Sequence, residues 1–129
     1  MNTVVKALLV IVGVIHLLPL AGVAGAEKLA ALYGIQVADP NLAILMRHRA
    51  VLFGLLGIFI CYAAFIPRLQ LLSLIGGLIS VVSFLWLAWA TGGYNPLVGR
   101  VVVADMVALA CLLVAGMMYA LNRPPAGSR

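Results

Sequence analysis

The stretch Asp39-Pro40-Asn41-Leu42-Ala43-Ile44-Leu45-Met46-Arg47-His48-Arg49-Ala50-Val51-Leu52-Phe53-Gly54 decides how this chain is read. Asp39 suits a helix N-cap, because its carboxylate can accept from a free N–H of the first turn. Pro40 is preset for the first helical position, where the N–H it lacks would be unpaired anyway. Apolar residues then run on past Gly54, yet Arg47, His48 and Arg49 arrive about two turns inside the helix. Basic side chains inside an apolar helix are costly, and finding their partners organises the rest of the chain.

The surrounding composition sets the solvent. Of 129 residues 66% are hydrophobic and 9% charged, with a mean hydropathy of +1.24. A soluble domain carries about 25% charged residues, and one core of this size could not hide so much apolar surface. Lipid is the expected surroundings. The net charge of +5 comes from eight Lys/Arg against three acids. In a membrane chain such an excess sets topology and meets anionic headgroups. Nucleic-acid binding would need a basic face with stacking aromatics; here the basic residues are scattered singly at segment ends, so no nucleic-acid partner is expected. Cys61 and Cys111 sit inside apolar runs, where cysteine acts as a small hydrophobe. No metal site and no cofactor are expected from them.

A helix needs roughly 20 apolar residues to cross a bilayer. Four stretches qualify, at about 4–23, 40–66, 69–90 and 96–121. They predict an all-α, four-transmembrane-helix bundle forming one domain over residues 1–121, with a disordered tail over 122–129. Lys6, the apolar run that follows it and then Ala24-Gly25-Ala26 also resemble a signal peptide; retention as a span is the favoured reading. Pro19 should kink this span and free the Ile15 carbonyl. Glu27-Lys28-Leu29-Ala30-Ala31-Leu32-Tyr33 followed by Gly34 predicts a short amphipathic helix with a glycine stop, lying in the headgroup plane. Asn95-Pro96 repeats the Asp39-Pro40 device, and Ile66-Pro67-Arg68 is a tight turn. Trp86, Trp89 and Tyr94 suggest an interfacial aromatic belt. Lys6, Arg68, Arg123 and Arg129 share one side of the membrane, Lys28, Arg47, Arg49 and Arg100 the other. If some of the second group face inward, both termini lie in the cytoplasm.

Depth along the helices then gathers a candidate site. At 1.5 Å per residue, Arg47 lies about 12 Å inside its span and Asp105 about 15 Å inside the fourth. His16 lies about 12 Å before the first span's exit, and Ser83 is level with it. The expectation is a polar layer of His16, Arg47, His48, Ser83 and Asp105 that binds a ligand. Arg47 shares a face with Ala43, Ala50, Gly54, Gly57 and Cys61, a small-residue stripe suited to helix contact. An Arg47–Asp105 pair is therefore expected, because an unpaired charge at mid-span costs roughly 2.5–3.5 kcal/mol. Arg49 points the other way, with Leu45, Leu52, Phe53 and Leu56, and should snorkel to headgroups.

Tyr33-Gly34-Ile35, Asp39-Pro40-Asn41, Arg47-His48-Arg49 and Gly54-Leu55-Leu56-Gly57 resemble small bacterial four-helix membrane proteins of the DoxX-like kind, over roughly residues 5–65. The resemblance implies a four-helix protein of the bacterial inner membrane. The layer itself points to a lipid-binding or accessory protein whose partners are membrane lipids, a hydrophobic small molecule and copies of itself or a larger membrane complex. The alternative is a membrane-embedded acid/base enzyme, isomerase- or oxidoreductase-like, using His16 or His48 with Asp105 on a hydrophobic substrate.

Overall fold

A computed structural model describes residues 3–36 and 38–122. Its regular structure is all helical: α1 (Thr3–Leu17), which continues as a tighter 3-10 segment (Leu18–Ala24), α2 (Ala26–Tyr33), α3 (Pro40–Ala63), α4 (Pro67–Thr91) and α5 (Pro96–Leu121). Proline starts the three long helices after α2, and two of their caps are side-chain caps. Asp39 Oδ1 accepts from the Asn41 N–H at 2.9 Å, and Asn95 Oδ1 accepts from the Val98 N–H at 2.8 Å. Each such cap is worth roughly 1 kcal/mol. Ile66, which caps α4, has no side chain able to do this. Gly34 ends α2 in the left-handed conformation at φ 65°.

Thr3–Ala24, Pro40–Ala63, Pro67–Thr91 and Pro96–Leu121 are each long and apolar enough to cross a membrane. Ile44, Leu55, Ile79, Trp89, Val103 and Leu113 all stand outward and exposed on them. Apolar surface on this scale is incompatible with water on every side, and the chain has the build of a small multi-pass membrane protein. The second span is shorter than expected, because Ala64, Phe65 and Ile66 make the turn and Pro67 already begins α4. The first span is helical to Leu17 and changes to 3-10 geometry around Pro19, which can donate no backbone hydrogen bond. The expected disordered tail falls, beyond Asn122, outside the described residues.

The long helices stand at four corners. α1 packs against α3 and α5, and α4 packs against the same two. Each of those neighbours runs antiparallel, so the parallel pairs, α1 with α4 and α3 with α5, face one another diagonally. The core between them holds Val5, Leu9, Val12, Ile60, Val81 and Leu112. The small-residue stripe of α3 is buried at Ala50, Gly54 and Gly57. It lies against the first span: a Cβ on Gly57 would stand 2.8 Å from the Gly13 carbonyl oxygen, and one on Gly54 would meet Leu20 at 2.5 Å. Residues 3–24 thus form an integral wall of the bundle. A second cluster joins α2 to it, with Leu29 and Tyr33 packed on Ala43, Met46, Val98 and Val101.

Candidate functional site

The diagonal arrangement leaves a partly open cavity of about 270 Å³ at one end of the bundle, and every helix lines it. The first span supplies Ile15, His16 and Pro19, α2 supplies Leu32 and Tyr33, and α3 supplies Arg49 and Phe53. Phe84 comes from α4, and Arg100, Val101, Ala104 and Asp105 come from α5. Each side chain is there for a local reason. Arg100 and Asp105 are five residues apart, so Asp105 lies about 7.5 Å deeper along α5 and is turned about 140° from Arg100; both still line the cavity. Arg49 and Phe53 are a helical i, i+4 pair, and the Arg49 guanidinium lies over the Phe53 ring at 4.6 Å from its centroid.

Arg49 also reaches α2. Its Nη1 donates to the Tyr33 hydroxyl at 3.1 Å, and its guanidinium stands 5.6 Å from the centre of that ring. Tyr33 is held from the other side, because Asn95 Nδ2 donates to its carbonyl at 2.7 Å. Asn95 therefore both caps α5 and fastens the end of α2 across the cavity. A Cβ on Gly34 would come within 3.1 Å of that Asn95 nitrogen, so the junction requires glycine for space as well as for its φ.

His16 is 2% exposed. Its Nδ1 lies 2.9 Å from the Val12 carbonyl, which can only accept, so Nδ1 is the N–H donor. In that tautomer Nε2 accepts from the Ser80 hydroxyl at 3.1 Å, linking the diagonal helices α1 and α4. The ring is satisfied at both nitrogens and also lies near Phe53, with centroids 5.9 Å apart. Asp105 differs. It is 7% exposed and accepts no hydrogen bond among the described residues. No sealed side-chain nitrogen or oxygen in the described residues lacks a partner, so the Asp105 oxygens keep their remaining surface open toward the cavity. Arg49 from α3 and Arg100 from its own helix line the same cavity.

Of the expected layer, His16 and Asp105 share the cavity, while Arg47, His48 and Ser83 stand outside it. The Arg47–Asp105 pair is not formed. Arg47 is exposed, and its Nε donates to the Val23 carbonyl at 2.9 Å, closing the 3-10 end of the first span. It does lie on the small-residue face, but that face meets the first span, and α5 is the diagonal helix. Arg49, expected among headgroups, is half-buried in the cavity instead. His48 is exposed. Ser83 is exposed and bonds back to the Ser80 carbonyl at 3.0 Å, while Ser80, one turn earlier, faces His16. Phe53 and Arg100 were not expected at a site, and Tyr33 was expected only as part of a 26–38 segment covering it. The signal for them was available in part: an aromatic four residues after an in-span arginine marks a guanidinium with a ring to lie on. Among the described residues no three His, Cys, Asp or Glu side chains gather as a metal site.

No family model, curated protein or solved structure matches the chain.

Proposed function

We propose that the protein binds an amphipathic small molecule in this cavity, with the polar head among Arg49, Arg100 and Asp105 and the apolar part against Phe53, Phe84 and Leu32. The observation that carries the reading is Asp105: a carboxylate within a span, almost wholly buried, with no hydrogen bond from the described residues, and open to a chamber walled mostly by apolar side chains. Burying a charged group without a bonding partner is costly, and such groups inside membranes mark binding or transport sites. The DoxX-like resemblance, residence in a bacterial inner membrane with cytoplasmic termini, and α2 lying in the headgroup plane belong to the same proposal, as does assembly with itself or a larger complex. The acid/base enzyme has less support: both ring nitrogens of His16 are engaged, and His48 lies outside the cavity.

The test is native mass spectrometry of the detergent-purified protein. A stoichiometric small-molecule adduct is expected. It should vanish in Ala104→Phe, which fills the chamber, and persist in Ala110→Phe, which alters an exposed position outside it. Wild-type protein with no adduct, before or after addition of total lipid extract, contradicts the reading.

A further inference from the structure

We propose that the head group taken by this cavity is acidic and carries its own hydrogen-bond donor, as in the singly ionised phosphate monoester of a lipid-like alcohol. Its acidic oxygens would lie on Arg49 and Arg100 and its O–H on Asp105. The inference rests on the binding reading above and names the chemistry of the ligand.

Charge is the first argument. Two guanidinium groups and one carboxylate line the chamber, so the site carries a net charge of about +1 before anything binds. A cationic head could sit on Asp105 only by facing both arginines. A neutral head would leave the positive excess uncompensated in surroundings where charge is poorly screened. An anion balances it.

Donor capacity is the second argument. A guanidinium has five N–H donors. Arg49 directs one to Tyr33 and stands over the Phe53 ring, which leaves the other donors for a ligand. Arg100 makes no hydrogen bond or ion pair among the described residues and stands exposed at the rim. A fork of this kind suits phosphate and carboxylate oxygens, which accept several charge-assisted bonds at once.

Asp105 supplies the third. It lies about 7.5 Å deeper than Arg100 on α5 and accepts nothing from the described residues. An ionised carboxylate can only accept. A head made of acceptors alone would place oxygen against oxygen there, whereas an acidic head with one O–H meets both demands. The chamber's 270 Å³ lies at the small end for ligand pockets, room for a compact head and the first part of a chain. The rest of the chain would continue between the helices.

The test titrates wild-type protein in a sugar-headed detergent with monododecyl phosphate, its methyl ester and dodecyltrimethylammonium, reading occupancy by native mass spectrometry. The methyl ester keeps the anion and chain but has no O–H. The monoester should bind tightest, the methyl ester about tenfold weaker, and the ammonium weakest. Arg100→Met, at the exposed rim and therefore tolerant, should weaken the monoester about tenfold or more. Asp105→Asn should shrink the gap between monoester and methyl ester to about twofold or less. Circular dichroism and monodispersity verify that each variant is folded. Phosphatidic acid and inorganic phosphate separate the sources of this head. Competition by phosphatidic acid equal to that of the monoester supports the proposal and points to a bilayer lipid; weaker competition supports it and points to a free single-chain amphiphile. Inorganic phosphate binding as tightly as the monoester overturns it, because the chain then contributes nothing. Ammonium, or a single-chain phosphoethanolamine, binding as tightly as the monoester also overturns it while leaving an amphiphile-binding cavity. If no amphiphile binds at all, the binding reading falls with it.

Discussion

Arg47 and Arg49 are two positions apart and do unrelated work. A separation of two residues turns a helix by about 200°, so one guanidinium fastens the carbonyl of Val23 and the other enters the cavity beneath α2. A double-mutant cycle distinguishes these roles. Arg49→Met combined with Asp105→Asn should show a coupling of at least about 0.5 kcal/mol, because the two opposite charges line the same chamber. Arg47→Leu combined with Asp105→Asn should be additive within about 0.3–0.5 kcal/mol. Unfolding in mixed detergent measures both, and the reverse order would sink the assignment. The serines divide in the same way. Ser80→Ala removes the hydrogen bond to Nε2 of a buried histidine and should cost about 0.6–1.7 kcal/mol. Ser83→Ala loses only a bond back to its own helix on an exposed face, and its cost should be near zero.

At the scale of elements, close backbone approach between the first span and α3 does most of the positioning. Gly13 and Gly57 interlock: a Cβ on Gly57 would stand 2.8 Å from the Gly13 carbonyl and 2.9 Å from Leu17 Cγ. Gly57→Ala must therefore push α1 away from α3, at a cost of about 1–3 kcal/mol. Gly116 on α5 has nothing within 4 Å of its Cβ position. Gly116→Ala should be neutral or slightly stabilising, by up to about 1 kcal/mol, through helix propensity alone. Thermal unfolding of the pair in one detergent decides, and equal losses would mean that the glycine face is not the contact. These elements were largely legible in the sequence. Asp39-Pro40, Asn95-Pro96 and Gly34 carry local chemistry that acts within one turn, so the caps and the stop could be read without any tertiary information. The face of α3 was legible too, because small residues at helical spacing name a contact surface. What they do not name is the helix on the other side.

That missing piece belongs to the whole molecule, and it explains the misplaced pair. Depth alone brought Arg47 and Asp105 level, which is a statement about one axis. Which helices are neighbours depends on the order of the corners, and consecutive antiparallel spans leave α3 and α5 on a diagonal. A residue on the α3 contact face then meets the first span, and only a residue turned toward the interior, as Arg49 is, shares space with Asp105. Arg100 and Tyr33 follow the same logic, since their place depends on where α2 closes the end of the bundle. The arrangement of corners can be tested directly with the native thiol of α3. A Cβ built on Gly13 falls against Cys61 Sγ, and that sulfur already points at the first span, 3.9 Å from the Val10 carbonyl oxygen. In a Cys111→Ser background, Gly13→Cys should form a disulfide with Cys61 under mild oxidation, leaving no thiol to label and keeping the first span joined to α3 after a protease site inserted between residues 34 and 39 is cut. Gly116→Cys, on the diagonal helix with open space before it, should leave both thiols reactive under the same conditions. A disulfide from Gly116→Cys, with free thiols in the Gly13→Cys protein, would exchange the corners and take the cavity with it. A Gly13→Cys protein that oxidises fully and keeps its amphiphile adduct would hold the chamber and the α1–α3 wall in one and the same folded state.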